Sequence, residues 1–131
     1  MKRILITGAS RGIGLEICTQ LIADGHDVLA TYRSEKTASS LLDLNDGAKN
    51  LHIFKMDVNS TDSVKTAMSE ITKRFSSIDL VFNNAGILDW SPLDEVSSDA
   101  FRSIYETNVI GVFRVSEAAI PLLQKGHEPL I

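Results

Sequence analysis

Three glycines stand at positions 8, 12 and 14 in the stretch TGASRGIG. A short apolar run precedes them and an apolar periodicity of helical spacing follows, so the stretch reads as a strand-to-helix turn. Each glycine has its own task in such a turn. Gly8 permits the tight bend, Gly12 lets a phosphate approach the backbone, and Gly14 lets the helix pack close to the strand. The free N–H groups and positive end of the helix would hold an anion, with Ser10, Arg11 and Ile13 completing the loop. The chemistry indicated is the binding of a pyrophosphate, as opposed to an ordinary glycine-rich turn.

Other side chains add to this pattern. Tyr32 and Arg33 end the second apolar run. A carboxylate at that place would bond a ribose 2′-hydroxyl and select NAD, whereas a guanidinium suits a 2′-phosphate in charge and geometry. Arg11 can approach from the other side. Either arginine alone reads equally well as a solvated loop residue; the two together favour NADP over NAD. Asn108 falls on the apolar stripe Phe101, Ile104, Tyr105, Val112 and Val115 of a helix. An amide buried there needs hydrogen-bond partners, and a satisfied core asparagine is the plain reading. His26, His52 and His127 show no metal-ligand spacing and read as surface residues, so no metal site is expected. Cys18 lies on the apolar side of its helix and reads as a core thiol.

The elements that must position these residues follow from the apolar pattern. It predicts strands over 3–7, 27–32, 51–55 and 79–83. It predicts helices from Ile13 to Gly25, over 35–44, and from a cap at Ser60 or Thr61 to Phe75. Ser91 and Pro92 read as an N-cap and first helical position, with Asp94 and Glu95 in the first turn. A long helix is expected from about Ala100 to about Ala119. Strands alternating with helices imply a parallel sheet with helices on both faces and right-handed crossovers. The strands read as continuous apolar runs, as strands covered on both faces do.

With the glycine loop and this element order, the sequence resembles the short-chain dehydrogenase/reductase family. Three further motifs stand in register: MDV at 56–58 after the third strand, NNAG at 83–86 closing the fourth, and NVIG at 108–111 in the long helix. ATYRS at 30–34 and IDLVFNNAGI at 78–87 resemble the branch of C-factor and sniffer-like carbonyl reductases. The resemblance covers essentially the whole chain. It implies an α/β fold, a three-layer Rossmann-type doubly wound sheet in order 3-2-1-4. It implies hydride transfer between a nicotinamide and a small carbonyl or alcohol. By the same resemblance, Asp57 bonds the adenine amino group beside the Val58 amide, although a carboxylate approaching a helix is the alternative. Asn83, Ala85 and Gly86 line the cofactor, Asn84 is structural, and Asn108 becomes a catalytic residue that holds a water.

The family's proton donor is a tyrosine in Tyr-x-x-x-Lys, aided by a serine; a tyrosine near pKa 10 needs a nearby lysine to act near neutrality. Tyr32 has Lys36 at the right offset but lies at the adenosine end, and Tyr105 has Val109 there. Neither fits. Gly126 reads as a helix terminator and Pro129 as a block to its continuation. Leu130 and Ile131 then read as the first residues of a fifth strand. The expectation is one dinucleotide-binding domain over 1–131, truncated after about four strands and inactive alone. A non-catalytic dinucleotide-binding or signalling module is the alternative.

Size and composition exclude other classes. The chain has 131 residues, 44% hydrophobic and 23% charged, a globular balance sufficient for one domain. Its formal net charge of -4 and lack of a basic segment give no support for nucleic-acid binding. No apolar run reaches the roughly 18 residues of a membrane span, and MKRILITGAS has too short an apolar core for a signal peptide. A single cysteine allows no internal disulfide and suits the cytoplasm. A homo-oligomer is expected, since the family commonly associates through its long helix and a later one.

Overall fold

The computed structural model describes residues 1–131. Four parallel strands form one sheet in the order β3-β2-β1-β4. They are β1 (Arg3–Ile6), β2 (Asp27–Tyr32), β3 (Leu51–Lys55) and β4 (Leu80–Phe82). Leu5 pairs with Leu29 on one side and Val81 on the other; Ala30 pairs with Ile53.

Alternation along the strands sorts their side chains between two faces. Leu5, Leu29 and Val81 point to a core shared with Val64, Met68 and Ile71 of α3 (Thr61–Arg74) and Val115, Ala119 and Leu122 of α5 (Gly111–Leu123). Ile4, Ile6, Val28 and Ala30 point the other way, to Cys18 of α1 (Gly12–Ala23) and Leu41 of α2 (Ser39–Asn45). Both faces are therefore covered, which explains why the strand centres are apolar while Arg3, Asp27 and Lys55 stand at strand ends. Thr31 is an exception: fully buried, its hydroxyl has no partner.

Four details differ from the sequence-based expectation. The helix over 35–44 is divided into a 3-10 turn, Glu35–Thr37, and α2. Phe75 follows α3 as an extended C-cap residue, outside its stripe. Ser91 and Pro92 do not start a helix. The Ser91 N–H donates to Asp89 Oδ1, and the Pro92 carbonyl accepts from Glu95 and Val96 in an isolated turn. Helix α4 (Ser98–Tyr105) begins later, capped by Ser97, whose hydroxyl accepts from the Ala100 N–H at 3.0 Å.

The fourth difference is a π-helical turn, Glu106–Ile110, between α4 and α5. A turn with an extra residue shifts the buried face. The inward positions become Thr107, Gly111, Val115 and Ala119, while Phe101, Tyr105 and Asn108 lie exposed. Beyond α5, Leu130 forms a single parallel bridge with Leu80. Its N–H donates to the Asp79 carbonyl and its carbonyl accepts from Val81, each at 3.0 Å.

Candidate functional site

The carboxyl ends of all four strands open into one cleft of about 360 Å³. The sheet order reverses between β1 and β4, and such a switch point leaves a crevice above the strands. Each strand delivers a loop: Gly8–Ser10 after β1, Arg33 and Ser34 after β2, Met56–Asn59 after β3, and Asn84–Ile87 after β4.

The glycine loop is held by sterics and by β4. Gly12 has φ +54°, a conformation that disfavours any side chain, and faces open space. A Cβ at Gly14 would stand 2.4 Å from the Gly8 carbonyl oxygen and 2.5 Å from Asn84 Nδ2. No side chain fits there. Asn84 Nδ2 donates to the carbonyls of Thr7 (3.0 Å) and Gly8 (3.1 Å). The Thr7 hydroxyl accepts from the N–H groups of Asn84 and Ala85. These two side chains lock the glycine loop to the loop after β4. Thr7 was not singled out by sequence, although a threonine ending an apolar strand at a glycine turn is a readable signal.

Most of the expected residues meet at the cleft. Gly8, Ser10, Arg11, Gly12, Ile13, Gly14, Arg33, Asp57, Val58, Ala85 and Gly86 all line it. Ile13 is exposed despite its apolar side chain. Three expected residues do not line it: Tyr32, Asn83 and Asn108. Tyr32 packs against the core beneath α1 and α2, and Asn83 turns away to donate to Ser116 Oγ on α5 at 3.1 Å. Ser34, Thr37, Asn59, Ile87 and Thr107 also line the cleft and had not been expected.

The expectation of a buried Asn108 is corrected by the π turn. Its carboxamide is exposed and bonded at both ends: Oδ1 accepts from the Ile87 N–H at 2.9 Å and Nδ2 donates to the Ile87 carbonyl at 2.8 Å. Both polar groups of one residue in the loop after β4 are thus fixed by one side chain. The buried position beside it belongs to Thr107, whose hydroxyl accepts from Asn59 Nδ2 at 3.0 Å.

The electrostatics of the cleft run against those of the chain. Its lining holds two arginines and one carboxylate, Asp57, in a protein with a formal net charge of -4. Arg11 and Arg33 are exposed and have no carboxylate partner. Asp57 Oδ1 accepts from the Asn59 N–H at 3.0 Å, leaving Oδ2 free, and the adjacent Val58 N–H has no partner. An acceptor and a donor therefore stand side by side at this wall.

The remaining titratable residues lie elsewhere. Burial raises the Cys18 pKa to about 12, which keeps it a thiol. No three His, Cys, Asp or Glu side chains cluster for a metal. At the opposite end of the sheet, Asp27 accepts from Arg3 Nε at 2.8 Å and pairs with His52 Nε2 at 2.9 Å. Arg74 approaches His52 Nδ1 at 3.1 Å, and the Arg3 guanidinium lies 4.7 Å from the Phe75 ring centroid. His52, read from sequence as a surface residue, belongs to this structural cluster.

Comparison with known proteins places the geometry. An uncharacterized oxidoreductase of Schizosaccharomyces pombe is 33% identical over 99% of this chain and 52% of its own. The 3-oxoacyl-[acyl-carrier-protein] reductase FabG of Salmonella typhimurium is 36% identical over 95% of this chain and 50% of its own. The chain spans about half the length of the curated relatives it matches. Among solved structures, an NADPH-bound carbonyl reductase from chicken fatty liver superposes with a TM-score of 0.90. It is 33% identical, over 95% of this chain and 52% of that one. An actinorhodin polyketide ketoreductase solved with NADPH gives a TM-score of 0.82 at 30% identity, over 91% of this chain and 46% of that one. Residues 2–131 match the short chain dehydrogenase family, and with the 3-2-1-4 sheet and its glycine-lined cleft this chain belongs to that family of oxidoreductases.

Proposed function

We propose that this chain is the dinucleotide-binding part of an NADP-dependent short-chain oxidoreductase acting on a small carbonyl or alcohol. The observation that carries the reading is the pair of unpaired arginines, Arg11 and Arg33, on a cleft whose lone carboxylate is Asp57. A guanidinium fork matches a 2′-phosphate, and no acid is placed to bond a free 2′-hydroxyl. The residues fit the rest of the cofactor too. Gly12 leaves its backbone open to a pyrophosphate at the start of α1. The Val58 N–H and Asp57 Oδ2 complement the acceptor nitrogen and amino group of adenine. Ala85, Gly86 and the Asn108-held Ile87 form the wall toward the nicotinamide. When bound, the nicotinamide supplies or accepts the hydride.

The residues of this chain bind and orient. None is a suitable proton donor for a carbonyl oxygen: Tyr105 has Val109 four residues on, and Tyr32 faces the core at the adenosine end. Proton donation belongs to groups outside these 131 residues. Asn108 is the catalytic residue of this part, fixing the loop after β4 and holding a water for the missing groups. NADP-linked reductases of carbonyl groups among the similar structures support the substrate class. The exposed line Phe101, Tyr105, Val109 and Phe113 supports self-association along α4 and α5. No helix is long and apolar enough to cross a membrane, and the buried, unpaired Cys18 fits a cytoplasmic site.

A second reading, a dinucleotide-binding module without catalysis, is favoured by the same lack of a Tyr–Lys pair. Steady-state assay of the purified chain with NADPH and a panel of small aldehydes and ketones tests the first reading. Binding without oxidation of NADPH is expected, and turnover restored on extending the chain to include a serine and Tyr-x-x-x-Lys. Turnover by the 131 residues alone contradicts it; an extended protein that binds but never turns over favours the module.

A further inference from the structure

Outside the cleft, one side chain gathers the elements that form its adenosine end. Arg114 lies on α5 and does not line the cleft. Its Nε–H donates to Thr61 Oγ1 at 3.0 Å, at the start of α3. One terminal nitrogen donates to the Val58 carbonyl, and the other to Glu106 Oε1 at 2.8 Å, at the start of the π turn. The Arg114 side chain is only 16% exposed. Glu106 is 43% exposed, so solvent screens the ion pair and the bonds to Val58 and Thr61 carry more of the anchoring. Three bonds from one planar fork also fix direction as well as distance, which a lysine cannot do.

Val58 is restrained from a second side. A Cβ at Gly111 would stand 2.9 Å from Val58 Cγ2, so α5 and this side chain are in close packing that only glycine permits. Ser63 Oγ accepts from the Asp57 N–H at 2.9 Å, and Asp57 Oδ1 accepts from the Asn59 N–H. The backbone of Asp57 and Asn59 is thus tied to the protein, while Asn59 Oδ1 is buried without a partner. The Val58 N–H and Asp57 Oδ2 are also free, and these are the two that face the base in the proposed function.

We infer that Arg114 is a positioning residue for base recognition: by holding the Val58 carbonyl against Glu106 and Thr61, it aims the Val58 N–H and Asp57 carboxylate at adenine. This rests on the proposed function. Adenine offers an acceptor nitrogen beside an amino donor. Hypoxanthine offers the reverse, an N–H beside a carbonyl, so an aimed pair discriminates between them. A loosened pair does not.

The test measures dissociation constants of the full chain for NADPH, NADH and the hypoxanthine analogue of NADPH. The unaltered chain prefers adenine to hypoxanthine by about 10-fold or more, the scale of a matched base-edge pair. In Arg114→Met this preference falls to within about 3-fold, while the preference for NADPH over NADH, set by Arg11 and Arg33, is retained. General loosening of the fold would reduce both ratios together. A folded R114M chain that keeps its base preference, or loses both ratios alike, overturns the inference. Should R114M not fold, Glu106→Gln weakens the anchor and leaves the bonds to Val58 and Thr61. A reduced base preference in E106Q supports the inference and an unchanged one overturns it. An unaltered chain that binds NADPH and its analogue equally overturns this inference and the adenine contacts with it, but not the NADP selection by Arg11 and Arg33; one that binds neither overturns the proposed function, and the inference falls with it.

Discussion

Arg33 is the residue on which cofactor choice turns. Its guanidinium has no partner within the chain, so its removal costs no structural bond. Arg33→Ala is expected to weaken NADPH binding by about 10- to 100-fold, the worth of a charge-assisted bond, with little effect on NADH and on the melting temperature. Calorimetric titration of both cofactors checks it. Asp79 is a contrasting residue, wholly structural. Burial raises its pKa, but the N–H groups of Arg3 and His127 and the charges of Lys2 and Arg3 outweigh that and hold it below 3.8. A lowered folded-state pKa stabilises the fold above the unfolded value and loses that stability as pH falls through the folded one. Asp79→Asn is therefore expected to destabilise by about 1–3 kcal/mol at neutral pH, with the difference from the unaltered chain shrinking below about pH 4. Urea melts at both pH values measure this. At this scale the glycine loop was legible, because each glycine answers a steric demand local in sequence. The Arg3–Asp27–His52 cluster was not, because its partners lie 24 and 25 residues apart and meet only once β1, β2 and β3 pair. The division of labour in NNAG was legible only in part. Asn84 points at the glycine loop and Asn83 at α5, and neighbouring residues after a strand give no sign of which does which.

Helix caps decide where the elements of the site begin. Ser60 accepts from the Ser63 N–H at 3.2 Å and opens α3 directly after the Asp57–Asn59 wall. Ser60→Ala is expected to lower stability by about 1 kcal/mol, and to weaken NADPH binding through the neighbouring wall. Chemical denaturation and titration of the same variant separate the two effects. Cap chemistry was read at Ser60 or Thr61, of which Ser60 is the cap, and misread at Ser91. Both sites have a serine followed by acids, and Pro92 strengthens the second. Pro92 instead closes an isolated turn, and the helix starts at Ser97, a serine with Asp99 two residues on. A π turn has no composition of its own, so the register over Glu106–Ile110 was unreadable. That single extra residue moved Asn108 from the core to the cleft side and put Thr107 in its place.

The whole molecule was the most legible scale. Alternating strands and helices gave the parallel sheet covered on both faces, and the family resemblance gave its 3-2-1-4 order. The periodicity gave the inward face of α5 through Val115 and Ala119 but misplaced Phe101 and Tyr105 of α4, which lie exposed. Phe101, Tyr105, Val109 and Phe113 repeat every four residues and are 64%, 51%, 46% and 63% exposed. If this line mediates self-association, Val109→Asp with Phe113→Asp shifts sedimentation toward monomer without altering the circular dichroism; a distribution unchanged by both substitutions contradicts it. The central claim, an NADP-selecting cleft, is tested most directly by the ratio of NADH to NADPH dissociation constants. The account predicts a ratio of about 10 or more for the chain, collapsing toward unity in the Arg11→Ala, Arg33→Ala double variant. A ratio near or below unity in the unaltered chain, or one unmoved by removing both arginines, would contradict it.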